Sequence, residues 1–276
     1  VSASQPIHLR PTAPLAERVL LPGDPGRALA LAQLLIAQPK MFNHHRGLWG
    51  YTGPANADGE PLTIQATGMG GPSAAIVLHE LIALGARRAI RVGTCGALHP
   101  ALALGDLVVA REAIAADGAS AALCRSAPPT GRADADPRAG SATAPPVENA
   151  DAPPRTRAHA ELAARLGAVV AAGERPSHLD ATIASTDLFY EEGSDRGARW
   201  REAGAVAVEM ETSALFAVGA HAGIEVACLL AVSDTFDAHG ARTRIDDHAL
   251  LEAAEAMGRA AVAALADPTR RLSGRR

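Results

Sequence analysis

Five residues, Gly23-Asp24-Pro25-Gly26-Arg27, separate an apolar run from a helix-like repeat of Leu and Ala. A Gly-rich turn between a strand and a helix turns backbone N–H groups outward at the positive end of the helix dipole, which suits an anion. Arg27 adds a planar, bidentate charge fitted to phosphate; the alternative is a tight turn with a solvated arginine. Arg91 stands in a strand otherwise built from Ala, Ile and Val, and Gly93-Thr94-Cys95-Gly96 follows it. A buried arginine without an anion is costly, so Arg91 and Thr94 read as a second anion contact. Glu209 and Glu211 flank Met210 at the mouth of another apolar run. Each could simply stabilise a helix N-terminus, and together they could grip the neighbouring hydroxyls of a sugar diol. Ser233 and Asp234 follow seven apolar residues. Asp234 is either a turn cap or, in a pocket, a general acid.

These residues need elements to hold them. Apolar runs at 18–22, 62–67, 88–93, 105–110, 180–185, 205–208 and 225–232 alternate with helical stretches, which predicts a largely parallel or mixed sheet covered by helices. Helices are predicted at 72–85, 211–222 and 246–265, with start and stop signals in the expected order, and the α/β pattern also covers 159–171. The candidate residues all fall where strands end, the position at which open α/β sheets bind ligands. Gly68, Gly70 and Gly71 in "QATGMGGPSAA" allow close backbone approach there, and Met69 offers a flexible apolar contact.

With 276 residues, 48% hydrophobic and 20% charged, the chain has ample core for one α/β domain spanning 1–276. Residues 125–158 break the pattern: seven of the 34 are Pro, and Val147 is the only large aliphatic. A mobile surface insertion is predicted there rather than a domain boundary. Cys95, Cys124 and Cys228 are too few and too scattered for a disulfide framework or a zinc cluster, so no metal site is expected. A net charge of −4 and 3% aromatics give no footprint for nucleic acid. With no signal-like core near the N-terminus and no run of 18 apolar residues, a soluble cytoplasmic protein is expected, with no membrane partner.

The segments "LLPGDPGRA", "RGLWGYTG", "GMGGPSAA", "RVGTCGAL", "STDLFYEE", "VEMETSAL" and "AVSDT" occur in that order along nearly the whole chain. In order and spacing they resemble the nucleoside phosphorylase superfamily, which includes the bacterial hexameric-type purine nucleoside phosphorylases and the uridine phosphorylases. The resemblance implies an α/β fold, a three-layer αβα sandwich with a central mixed β-sheet. It also implies reversible phosphorolysis of a nucleoside to a free base and ribose 1-phosphate, with inorganic phosphate as co-substrate and no other cofactor. Carried over, Gly23, Arg27, Arg91 and Thr94 would bind phosphate, and Arg46 would reach in from a neighbouring subunit. Met69, Met210 and Glu211 would hold the ribose, with His8 of that neighbour on the 5′-hydroxyl. Phe189 and Ser233 would line the base site, and Asp234 would protonate or hydrogen-bond the leaving base.

The stretch after "FY" is Glu191-Glu192-Gly193-Ser194-Asp195-Arg196, without the Gln and Arg that the uridine branch uses to read uracil. Ser233-Asp234 is a purine-branch feature, so a purine is favoured, with uridine or methylthioadenosine phosphorylase as the alternative and a non-catalytic nucleoside-binding protein as a third reading. The arginine that supports the aspartate in the purine branch would fall near Asp247 by spacing, which leaves Arg242 and Arg244 as candidates. A homo-oligomer is implied, either a dimer or a hexamer built as a trimer of dimers.

Overall fold

The computed structural model describes residues 6–126, 153–190, 195–237 and 241–266. The first half of the chain runs β1 (Arg18–Leu21), α1 (Pro25–Leu35), β2 (Lys40–Asn43), β3 (Gly50–Pro54), β4 (Pro61–Gln65), α2 (Gly71–Leu84), β5 (Arg88–Ala97), β6 (Leu107–Ala116) and α3 (Gly118–Arg125). The second half runs β7 (Arg155–Arg157), α4 (Ala160–Ala171), β8 (Ser177–Thr186), α5 (Arg196–Glu202), β9 (Ala207–Glu209), α6 (Thr212–Ala222), β10 (Glu225–Phe236), β11 (Arg242–Arg244) and α7 (Asp247–Leu265). Each of the seven apolar runs carries one strand, and the four helical stretches carry α2, α4, α6 and α7.

All the strands belong to one mixed sheet. β5 is its axis, lying parallel to β1 on one side and to β10 on the other. From β5 the sheet opens outward through β1, β4, β3 and β2, while β10, β6, β8 and β9 curl round until β9 pairs antiparallel with the end of β5. Both faces are covered, which is why Ala89, Ile90 and Val92 of β5 and the run from Val226 to Val232 of β10 are apolar on both sides of the sheet rather than at alternate positions. On one face α1, α4 and α7 set Leu31, Leu166 and Met257 against Ile90, Val92 and Leu229. On the other, α2 and α6 set Val77, Leu81 and Phe216 against Ala89, Leu230 and Val232. The αβα layering implied by the family resemblance is therefore present.

Two expectations change. Gly93–Gly96 and Ser233-Asp234 were expected just beyond the ends of their strands, yet they lie within β5 and β10. A register shift between Val232 and Asp234 marks a bulge at Ser233, so the strand continues while its side chains are re-aimed. In the Pro-rich stretch, residues 127–152 lie outside the described residues, but both its ends are ordered. Arg125 closes α3, and β7 pairs antiparallel with β6, where Arg155 and Arg157 hold the buried Glu112 carboxylate. Composition understated this segment because a three-residue strand can be secured by its partner edge and one buried acid rather than by apolar burial.

The α1–α7 crossing is close because α7 presents Gly258 to α1. A Cβ there would come within 2.7 Å of Leu31 Cδ2 and 2.9 Å of Leu35 Cδ1. Gly167, inside α4, has nothing within 4 Å of its Cβ direction. Gly258→Val is therefore expected to destabilise the fold by about 1–3 kcal/mol through overpacking. Gly167→Ala should stabilise it by about 0.4–1 kcal/mol through the unfolded chain. Thermal denaturation checks both signs, and a Gly258→Val protein as stable as the parent would contradict the close crossing.

Candidate active site

A cleft of about 1010 Å³ opens where β1, β5, β9 and β10 end, and its walls include Gly23, Arg27, Met69, Arg91, Thr94, Phe189, Met210, Glu211, Ser233, Asp234, Arg242 and Arg244. These are the site residues expected from the sequence, except His8 and Arg46. Residues as far apart in the chain as Gly23 and Arg244 meet there because the parallel strands β1, β5 and β10 deliver their C-terminal ends to one edge of the sheet.

Arg91 forms the floor. Its Nε donates to Glu209 Oε2 at 3.0 Å, and its Nη2 lies 2.5 Å from Glu211 Oε2. Burial works against the arginine charge, but Glu211 and Glu209 outweigh it and hold its pKa above the ordinary value. The third nitrogen, Nη1, is buried without a hydrogen-bond partner. It faces Gly23, whose added Cβ would lie 4.0 Å away, and Gly93 leaves the room the guanidinium needs, since a Cβ there would stand 2.8 Å from Arg91 Cζ. An external anion is thus not what allows Arg91 to be buried, as its sequence setting suggested. Two carboxylates do that, and one donor remains directed at the cleft.

Glu209 does not serve as a second grip for a diol. It accepts from the Glu211 amide at 2.9 Å and the Thr212 amide at 3.0 Å, and from Ser185 Oγ, so its oxygens are committed to Arg91 and to the start of α6. Glu211 remains the carboxylate at the cleft wall. Its Oε1 accepts from the Gly70 amide at 2.5 Å, where Gly70 takes a φ of 87° to begin α2. Burial raises the Glu211 pKa, Arg91 opposes the rise and Glu209 adds to it.

The turn before α1 also differs from expectation. Asp24 caps the helix, its Oδ1 accepting the Arg27 amide at 2.6 Å, so that amide is committed within the turn. The Arg27 side chain remains at the cleft, and its pKa is lowered, first by burial and then by the charges of Arg91 and Arg244, with Asp24 opposing. Arg91 and Arg244 thus act unfavourably on the Arg27 charge across one cavity, and an anion placed between them would relieve that repulsion.

At the other wall, Asp234 Oδ2 accepts from Ser233 Oγ at 2.6 Å. Arg242 Nε and Arg244 Nη1 lie 3.7 and 3.9 Å from Oδ1. Both arginines flank the aspartate because β11 pairs antiparallel with β10 and sets Arg244 opposite Asp234. Met69, 85% exposed, stands at the rim. Cys95 and Cys228 are buried, and their thiols are pushed up by burial, Cys228 to about 12.

A family model described as the phosphorylase superfamily matches residues 17–267. The chain belongs to this family. It is 33% identical over 222 residues to a protein of Caldanaerobacter subterraneus subsp. tengcongensis named purine nucleoside phosphorylase DeoD-type, covering 80% of this chain and 84% of that one. Proteins of the same name from Alkaliphilus metalliredigens and Geobacillus kaustophilus are each 32% identical, over 230 and 224 residues, covering 83% and 81% of this chain and 87% and 83% of theirs.

Three residues in this member of the phosphorylase superfamily matter to the site beyond those given a role from the sequence. Ser185 orients Glu209, Gly93 admits the Arg91 guanidinium, and Phe236 lies beside Arg242. Ser185 opens the "STDLFYEE" segment, which was its only signal. Gly93 likewise lies in the "RVGTCGAL" segment, without a role of its own there, and Phe236 had no signal that separates it from structural residues.

His8 and Arg46 lie away from the cleft in this chain. His8 is strapped to α2, where Glu80 Oε1 accepts from its Nδ1 at 2.8 Å and the carboxylate also takes the amides of Ile7, His8 and Leu9. Arg46 is exposed, and the His45 pKa is lowered first by desolvation and then by the neighbouring Arg10, Arg46, His44 and His8. Burial would raise the Glu80 pKa, but the hydrogen bonds from His8, Leu9 and Ile7 prevail and hold it below the ordinary value. A depressed carboxylate stabilises the fold above its unfolded pKa, and that contribution is lost as pH falls through the folded one. Glu80→Gln should therefore cost about 1–3 kcal/mol near neutrality. The gap from the parent should shrink below pH ~4.3, as the parent carboxyl protonates. Denaturation across that window checks it, and a constant gap would contradict a charge-dependent strap.

Proposed function

We propose that the protein catalyses reversible phosphorolysis of purine nucleosides, releasing the free base and ribose 1-phosphate or its deoxy form. The reading is carried by the Arg91 Nη1 donor, buried, unpartnered and directed at the cleft floor beside Arg27, with Asp234 on the opposite wall. Membership of the phosphorylase superfamily and similarity to proteins named purine nucleoside phosphorylase support it. Inorganic phosphate is the co-substrate, and the chemistry calls on no other cofactor. Gly23, Arg27, Arg91 and Thr94 receive the phosphate; Met69, Met210 and Glu211 receive the ribose. Phe189 and Ser233 line the base site, and Asp234 donates to N7 of the leaving purine, with Arg242 and Arg244 as its cationic neighbours.

In the reaction the C1′–N9 bond breaks with its electron pair passing to the base, N7 accepts a proton, and a phosphate oxygen bonds C1′. The sugar is oxocarbenium-like between these events, so a phosphate fixed against its face by preorganised donors stabilises it without reorganisation. Glu211 orients the sugar hydroxyls. Among the described residues no helix is long and apolar enough to cross a membrane.

Base release from inosine, adenosine, guanosine, methylthioadenosine and uridine, each with and without phosphate, tests the reading. Phosphate-dependent release from purine nucleosides is expected, and phosphate-independent or uridine-selective release would overturn it. Asp234→Asn is expected to lower turnover of purine nucleosides by about 10²–10⁴, the range for lost general acid catalysis. The loss should be smaller for 7-methylguanosine, whose ring already carries the charge. Equal losses on both substrates with a lowered melting temperature would instead mark Asp234 as structural.

A homo-oligomer in which His8 and Arg46 of one subunit complete a neighbour's cleft accounts for two residues that lie away from the cleft of their own chain. Sedimentation should find a dimer or a larger assembly, and a fully active monomer would remove both residues from the site.

A further inference from the structure

Asp234 Oδ1 is buried, has no hydrogen-bond partner and lies just beyond hydrogen-bond reach of two guanidinium groups. The nearer, Arg242, is held in place: its Cζ lies 4.5 Å from the Phe189 ring centroid and 5.4 Å from that of Phe236. Phe236 is seated in turn over the end of β5, since a Cβ on Gly96 would come within 3.2 Å of its ring. Two aromatic faces therefore fix a donor-only group beside the aspartate, in the part of the cleft assigned to the base.

Resting on the purine phosphorolysis reading, the geometry points to Arg242 as a specificity-determining residue that selects 6-oxopurine over 6-aminopurine nucleosides. A purine carries N7 and its 6-substituent side by side on one edge. In guanine both are acceptors, as they are in hypoxanthine, whereas adenine sets an amino donor beside N7. With N7 at Asp234, the neighbouring position falls to the Arg242 guanidinium, whose N–H groups all donate and none of which accepts. A 6-oxo group accepts from it, while a 6-amino group meets donor with donor and is left unpaired. As the C1′–N9 electron pair moves into the ring, a 6-oxo base gathers negative charge on O6, so the contact strengthens in the transition state and acts on kcat as well as on KM.

The test is kcat/KM for inosine and adenosine at saturating phosphate, using the whole chain and its Arg242→Met and Arg244→Met variants. The parent is expected to favour inosine by about tenfold or more, the order for one correctly paired base edge. Arg242→Met, which keeps the contact with the rings, should bring the ratio close to one, mainly by lowering inosine. Arg244→Met should lower both substrates together and leave the ratio unchanged. Equal or better use of adenosine by the parent, or a proportional fall on both substrates in Arg242→Met, would overturn the assignment. Calorimetric affinities of hypoxanthine and adenine for the parent protein decide the same question if a variant fails to fold, with equal affinities counting against it. Absence of phosphate-dependent release from either nucleoside would refute the underlying activity instead.

Discussion

The site depends on one buried cation. Arg91 lies in the middle of the sheet, between the apolar Ile90 and Val92 of β5, and is kept there by Glu209 and Glu211. Removing charges from water is expensive, and a buried pair is recovered only when geometry and further hydrogen bonds are good. Here they extend into the surroundings. Glu209 binds Ser185 on β8 and the amides that start α6, and Glu211 binds the Gly70 amide that starts α2. Taking away one partner of such an arrangement typically costs about 3–5 kcal/mol, because the other charge is left uncompensated. The same contacts therefore bind β5, β8, β9, α2 and α6 together and aim one guanidinium nitrogen at the cleft.

The network also reaches the return of the chain after residue 152. Ser185 Oγ, which donates to Glu209, accepts the Ser213 amide, and Thr156 Oγ1 on β7 lies 3.1 Å from Ser213 Oγ. β7 is then secured on its outer side by Arg155 and Arg157 around Glu112. The same device appears at β11, again Arg-Thr-Arg, with Arg242 and Arg244 around Asp234 on β10. In both places a short polar strand completes the sheet edge and brings two guanidinium groups to a buried acid. At Glu112 the contacts are close and hold its pKa below the usual range, although burial alone would raise it. At Asp234 they stop short of hydrogen bonding, and the carboxylate stays open to the cleft.

Sheet closure does the remaining positioning. β5 and β10 run parallel with their C-terminal ends together, and β9 closes against β5 through Gly96 and Val208, so Thr94, Met210 and Asp234 converge although none is near another in sequence. The bulge at Ser233 lets β10 continue to Phe236 while its side chains are re-aimed, which puts Asp234 opposite Gly96 and lays Phe236 over it. An unbroken strand could not do both, because side-chain direction is fixed by a period of two.

The sequence by itself determined the main elements, because strands buried on both faces need long Val, Ile and Leu runs and their covering helices need apolar stripes with local start and stop signals. It also marked Arg27, Arg91, Glu211 and Asp234, whose charge beside apolar runs is a local property. Tertiary structure decided the rest. β7 and β11 carry no apolar signal, since Arg-Thr-Arg becomes a strand only beside an unpaired edge and an acid to hold. The division of labour between Glu209 and Glu211 was equally hidden, because two carboxylates separated by one residue look alike until long-range hydrogen bonds commit one to Arg91 and to α6. Whether Arg242 or Arg244 stands nearer the aromatic wall depends on the β10–β11 register and on a Phe189 that arrives from β8. Burial and alternation are written along the chain, whereas the partners of a charged side chain are chosen by the packing of segments far apart in it.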